Sequence, residues 1–215
     1  MNNPGDVMLM VAVFAVAISA HELAHAYAAK LCGDRTAEQL GRISLNPLVH
    51  IDLFGTIILP AFLILSGSPI VAGWAKPVPV NRSNLNSPRR DSAVVSAAGP
   101  ATNLLLAAGS ILITVLFFPL LVRIDGLYRL LFFNTTINIV LAVFNMLPVP
   151  PLDGGNIFKY FATPEQEQFF IKHRYIVLIL FMLLFISGIL GAVFSFFINL
   201  AHIFQAILLN FIWGV

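Results

Sequence analysis

Two histidines four residues apart with a glutamate between them, in His21-Glu22-Leu23-Ala24-His25, are the part of this chain best suited to chemistry. On a helix, residues i and i+4 lie about 40° apart around the axis and about 6 Å along it. Both imidazoles can therefore turn nitrogens toward one metal ion. Glu22 stands beside them, placed to take a proton from a water that the ion holds. Residues 7–20 before the motif are almost wholly apolar. Two imidazoles and a carboxylate at the end of such a run are costly to bury without a purpose, so a site is the first reading. The competing reading is a chance match on a helix whose histidines are merely hydrogen-bonded.

Catalytic zinc takes three protein ligands and leaves a fourth position for water. The third ligand must come from His50, His173, His202 or a carboxylate at membrane depth. Asp153 is the best carboxylate, lying in the proline-rich run Asn145-Met146-Leu147-Pro148-Val149-Pro150-Pro151-Leu152-Asp153-Gly154-Gly155. The plain reading of Asp153 is an aspartate in a Pro-Gly turn. His50, beside Asp52, reads as a solvated histidine at the membrane boundary. His173, between Lys172 and Arg174, reads as surface charge, and His202 as a packed histidine.

The elements that position these groups belong to a membrane. The chain has 215 residues, 59% hydrophobic and 10% charged, with mean hydropathy +0.90. Soluble domains carry about 25% charged residues, so a polytopic membrane protein is the fitting class. A net charge of +2, with no basic run interleaved with aromatics, excludes a nucleic-acid partner. The single cysteine, Cys32, excludes an internal disulfide and reads as a small packed side chain. Only Asp6 carries charge before the first apolar run, and cleavage near Ala20 would discard or expose the motif. The segment is therefore expected to be a retained span rather than a signal peptide.

Residues 7–30 predict a first helix of about 36 Å, enough to cross a hydrocarbon core of about 30 Å. Residues 33–50 are polar, turn-rich and interfacial. Residues 55–65 are apolar but short, with Pro60 near the middle, which suits a re-entrant or interfacial segment. In Gly73-Trp74-Ala75-Lys76-Pro77-Val78-Pro79-Val80 the alternate prolines forbid a helix and suit an extended edge, while Trp74 suits a membrane–water boundary. Residues 81–91 form a hydrophilic loop with Arg82, Arg89 and Arg90. A second span is expected over 92–122, with small residues near its start in Ala98-Gly99-Pro100-Ala101-Thr102-Asn103 that permit close helix contact. A polar turn over 123–129 leads to a third span over 130–147, ended by the prolines. Residues 156–174 read as an interfacial amphipathic piece. Residues 175–215 fit either one long span with a surface helix or two spans.

Asp153 can meet the histidines only if both lie at the same membrane face. Lys30, Arg35 and Arg42 place the end of the first helix in the cytoplasm. If residues 55–65 do not cross, the next two spans run out and back, and Asp153 returns to that side. All Lys and Arg except Arg123 and Arg129 then face the cytoplasm. If the short segment crossed, Asp153 would finish on the opposite face and Arg82, Arg89 and Arg90 would lie outside. Charge and ligand geometry select one topology by separate routes.

HELAH on a membrane helix, AGPATN on a later one and NMLPVPPLDGG closing the next together resemble the site-2 protease family of intramembrane zinc metalloproteases. The SLNPLVHID and GWAKPVPVN stretches resemble its short branch, without PDZ or CBS domains. The resemblance covers residues 18–156. It implies that His21, His25 and Asp153 bind one Zn2+ and that Glu22 is the catalytic carboxylate. It also implies that Asn145 positions substrate or stabilises the oxyanion, with a similar role for Asn103. For both asparagines, an interhelical hydrogen bond is the alternative. Trp74, Lys76, Pro77 and Val78 fall in the stretch that resembles the family's substrate-holding strand.

The expected fold is an all-α polytopic bundle of about 4–6 transmembrane helices with a re-entrant segment and a short membrane-associated β-strand region. It is read as one domain over 1–215, with a core at 7–156 and a helical extension at 157–215. The expected setting is a multi-pass protein of the cell (plasma or inner) membrane with its site toward the cytoplasm. Its expected partners are the bilayer and a transmembrane protein or peptide substrate. A zinc transporter or a non-catalytic scaffold are the alternatives. The first lacks ligands in the outer halves of the spans, and the second would have lost Glu22 or a ligand.

Overall fold

The structure is a computed structural model that describes residues 4–50, 52–58, 62 and 76–214. Helix α1 runs Pro4–Leu31 and is apolar nearly all round, so its sequence does not mark an inner face by hydropathy. Size marks it instead. Val13, Ala17, His21, His25 and Ala29 recur every fourth residue and are all buried. The alanines above and below the histidines let a neighbouring backbone come close. The helix stops where Gly33 turns left-handed at φ +105°. Asp34 N–H then bonds back to Ala29 O at 2.9 Å.

Helix α2, Pro88–Leu116, starts with proline in its first turn, and Asp91 accepts the Ser87 N–H at 2.7 Å. Its buried stripe is again small or polar: Ser96, Gly99, Asn103, Ala107, Ser110 and Thr114. A short turn, Phe118–Leu121, leads into α3, Asp125–Asn145, which buries Thr135, Asn138 and Ala142. After the proline break come two boundary helices, α4 (Asp153–Phe161) and α5 (Pro164–Lys172), the latter opened by a Thr163/Gln166 capping box. Helix α6 (Arg174–Ile186) leaves α5 at 74°, and Gly188 at φ +79° turns the chain into α7 (Ile189–Trp213).

Helix α2 is the centre of the bundle, packed against α1, α3 and α4, while α7 closes against α3. Helices α1, α2, α3 and α7 are each long and apolar enough to cross a membrane. Contacts settle the direction of α7. Phe144 near the end of α3 meets Phe194 near the start of α7, and Phe132 in the first half of α3 stacks on His202 at 4.5 Å. The two helices are therefore antiparallel. Trp213 Nε1–H then donates to Val115 O at 2.7 Å, at the end of α2 remote from the histidines. If α6 crossed the membrane, α7 would have to end at the histidine face. The tail is thus one span preceded by a helix that does not cross.

Several boundaries differ from expectation. The second span takes in the loop arginines Arg89 and Arg90 in its first turn. Helix α3 starts within the expected polar turn because Asp125 and Arg129 pair one turn apart. The expected amphipathic piece is two helices rather than one. No strand forms among the described residues. Residues 76–80 are extended, but Pro77 and Pro79 have no N–H to give a ladder, and Lys76 N–H goes to His50 O at 2.9 Å. Residues 73–75, Trp74 among them, lie outside the described residues. Of the expected re-entrant segment only a π-helical turn, Leu53–Ile58, and Phe62 are described.

Candidate functional site

The i, i+4 stripe of α1 carries His21 and His25 to the point where α2 crosses at Gly99. A β-carbon on Gly99 would lie 2.5 Å from His21 Cε1 and 2.6 Å from His25 Nε2. Only glycine admits the pair here. On the other side the proline break delivers Asp153 as the first residue of α4. Gly154 beside it abuts the carbonyls of Met146 and Leu147 so tightly that no β-carbon fits.

The result is a triangle of ligand atoms. His21 Nε2 and His25 Nε2 are 3.0 Å apart, and Asp153 Oδ2 is 3.2 Å from each. Both imidazoles are buried. Their other nitrogens define the proton positions. His21 Nδ1 lies 2.6 Å from Asn103 Oδ1 and His25 Nδ1 lies 2.7 Å from Val95 O. Both partners are acceptors, so each Nδ1 carries the hydrogen and each Nε2 presents a bare lone pair. Three lone-pair atoms thus face one another, and the buried Asp153 Oδ2 has no hydrogen-bond partner. Such a cluster repels itself unless a cation sits among its members. The edges fit zinc, since tetrahedral ligands at about 2.0–2.1 Å stand roughly 3.3 Å apart. Among the described residues this is the one group of three His, Cys, Asp or Glu side chains able to hold a metal.

The amide orientation of Asn103 is itself fixed. Its Nδ2 donates to Asn138 Oδ1 at 2.8 Å, and Asn138 Nδ2 donates to Asn134 O at 2.9 Å. Asn103 and Asn138 are fully buried. A main-chain carbonyl of α3 thus sets the tautomer of His21 on α1 through two side-chain amides. Both polar ends of Asn103 are engaged inside the protein. Asn145 is half-buried at the end of α3 and donates Nδ2 to Leu141 O of its own helix at 3.0 Å.

Glu22 faces the extended segment. Its Oε2 accepts the Val78 N–H at 2.8 Å. Arg42, buried, donates to Lys76 O at 2.8 Å, and Asp34 Oδ2 accepts the Asn81 N–H at 2.7 Å. Lys76 and Pro77 are exposed and Val78 is buried. No N–H from residue 76 to residue 79 remains unpaired. His50, expected to be solvated, is instead buried, with Nε2 2.8 Å from Ser44 O. It holds the loop whose carbonyl receives Lys76. Cys32 packs against Ala29, Leu85 and Val95, as its type suggests.

Gly99, Asn138 and Arg42 were not singled out for the site from sequence. Asn138 had a signal: Asn134 and Asn138 stand one turn apart in an apolar span, where a polar side chain asks for a partner. Arg42 had none beyond its charge.

Comparison with known proteins agrees with this geometry. The profile of Peptidase family M50 matches residues 9–124 and 119–187. YwhC of Bacillus subtilis, whose name describes it as a candidate zinc metalloprotease, is 37% identical over 188 residues, covering 83% of this chain and 80% of that protein. Rip2 of Mycolicibacterium smegmatis, similarly named, is 30% identical over 166 residues, 76% of this chain and 61% of its own length. Rip2 of Mycobacterium tuberculosis is 27% identical over 191 residues, 87% of this chain and 70% of that protein. No solved structure matches the chain.

Proposed function

The chain belongs to peptidase family M50 and is a multi-pass membrane zinc metalloprotease; from that membership and the geometry above we propose which residues do the work and on what. His21, His25 and Asp153 hold the zinc. The observation that carries this is the proton count: three buried lone pairs converge with no hydrogen between them. Bound there, zinc supplies Lewis acidity toward a scissile carbonyl and acidifies a water.

Glu22 takes the proton of the attacking water and returns it to the leaving amine. Its carboxylate is steered by the Val78 N–H. Asn103 acts on His21, holding the Nδ1 proton so that Nε2 stays free. Asn145, whose Oδ1 and second N–H have no partner among the described residues, stands at the mouth of the proline break and is the residue left to contact the peptide or its oxyanion.

The substrate is a peptide bond within or near a transmembrane segment of a membrane protein or peptide. A membrane helix hides its amides in its own hydrogen bonds, so the cleaved stretch must first unwind. Residues 76–80, with Lys76 and Pro77 exposed, receive it by strand addition. Pairing with Val78 N–H would release Glu22, so docking and freeing of the base are one event. All Lys and Arg except Arg123 and Arg129 lie at the face of the metal cluster, which supports a plasma or inner membrane setting with the site toward the cytoplasm.

Transport has less support, since among the described residues there is one metal cluster and no second station across the membrane. The test uses the purified full chain in lipid nanodiscs, with metal analysis and a panel of single-span substrates. The expected result is about one zinc per chain and cleavage of some substrates, with Glu22→Gln retaining zinc and losing cleavage. Substantial proteolysis by Glu22→Gln would remove Glu22 from its role. Activity on soluble peptides alone would remove the membrane substrate.

A further inference from the structure

A second polar cavity, of about 290 Å³, lies where the start of α2 meets α4 and α5. It is lined by Arg82, Arg89, Lys159, Asn156, Ser92 and Glu167 among others. Three cations from three separate elements therefore converge on one concave space with a single carboxylate at its rim.

The wall is ordered from below. Arg82 Nη2 donates to Asn156 Oδ1 at 2.6 Å, and Arg89 Nη2 donates to Lys159 O at 3.0 Å and to Ala162 O. Each guanidinium uses Nη2 in these bonds, and its other N–H groups have no hydrogen-bond partner among the described residues. The Lys159 ammonium and the Glu167 carboxylate form no ion pair among the described residues. The positive end of α2, opened by Pro88, borders the same space. Two forked guanidiniums and an ammonium around a cavity of this size match the tetrahedral oxygens of a phosphate.

Depth says where the phosphate would come from. The cavity lies at the boundary end of a spanning helix. Next to it α4 and α5 expose Phe161 at 76%, Phe169 at 57% and Ile171 at 57%, a degree of exposure that suits lipid rather than water. The cations thus stand at the boundary end of a spanning helix, beside helices that expose large apolar side chains.

We propose that this cavity is a phosphate-binding site that takes the headgroup of an anionic phospholipid from the surrounding leaflet. It is separate from the metal cluster, though Asn156 follows Asp153 by three residues and Arg82 follows the segment that touches Glu22. An occupied site would therefore brace both.

Native mass spectrometry of the full chain, released from phosphatidylcholine nanodiscs doped with phosphatidylglycerol, tests this directly. The wild type should retain phosphatidylglycerol in preference to phosphatidylcholine. The double substitution R82Q/K159Q should lower that preference roughly 25-fold, about fivefold per cation removed at a membrane surface. E167Q should raise it by a similar single-charge factor, a gain that misfolding cannot mimic. Unchanged zinc content of each variant checks the fold. Displacement of the lipid by millimolar inorganic phosphate would assign the site to soluble phosphate, whereas persistence of the lipid would assign it to the headgroup. Equal lipid preference in all three proteins would overturn the proposal.

Discussion

The half of the molecule that gathers His21, His25 and Asp153 and the α6–α7 tail are both apolar helices in a membrane, yet they are held by different forces. In α2, 44% of the most apolar window is buried inside the protein; in α7 the share is 11%. Lipid is as apolar as leucine, so burying a leucine between helices gains little. The first half instead joins its helices through small residues and buried amides: Gly99 against the histidines, then Asn103, Asn138 and Asn134 in series. The tail has Trp213 on Val115 and His202 against Phe132 and Thr136, with long apolar side chains facing lipid. Precision in a membrane bundle tracks polar contacts and small residues, not hydropathy.

Glycine substitutions should separate the two regions most sharply. Gly99→Ala drives a methyl into both imidazoles and is expected to cut zinc content to near zero, read by elemental analysis. Gly191→Ala in α7 has nothing within 4 Å and should leave zinc and thermal stability unchanged or slightly improved. Equal zinc loss in both would erase the distinction.

Asn138→Leu comes next. It removes the acceptor of Asn103 Nδ2 while keeping similar volume, so the His21 tautomer loses its support. Zinc affinity should fall by about 10–100-fold, measured by competition with a chelator. An unchanged affinity would confine Asn138 to packing.

Asp34, fully buried, gathers the Thr36 N–H and hydroxyl, the Asn81 N–H and the Asn84 amide. Burial pushes its carboxyl up, but these hydrogen bonds win and hold it below the usual range. Its contribution is therefore complete above the ordinary aspartate value of about 3.9. It is lost as pH falls from there through the lowered value. Asp34→Ala should cost about 2–3 kcal/mol at neutral pH, and the gap from wild type should close only in acid. A gap of constant size down to acid pH would contradict the hydrogen-bond account. The smallest effect is expected at His202→Phe, which keeps the stack on Phe132 and loses one 3.2 Å contact with Thr136. Stability should change by less than about 1 kcal/mol, read by thermal melting.

The site was legible in the sequence wherever chemistry imposes spacing. His21 and His25 on one helical face, Asp153 beyond a proline break and the parity of spans each follow from local rules, and the structure brings those three side chains together. What the sequence did not disclose depends on packing between distant segments. Helix α1 is apolar all round, so its inner stripe shows only against α2. Asn103 is as compatible with a substrate contact as with His21 until Asn138 is seen to take its Nδ2. His50 looks solvated because the loop around it is polar, but that loop folds back under Lys76. The tail was ambiguous because the thirteen-residue α6, apolar after Arg174, can cross a bilayer or not. Only the antiparallel seating of α7 on α3 decides between them.

At the face away from the metal, Arg129 reaches Asp6 at the root of α1 and Asp125 at the root of α3. Helix α1 carries two of the proposed ligands and α3 leads into the third, so these helices are two arms hinged at one pin, each about 22–24 Å long from hinge to tip. Splaying them by about 5° would open the jaws by roughly 2 Å, enough to spoil coordination. Anything that retilts the arms, bilayer thickness included, is thereby geared to the grip on the ion.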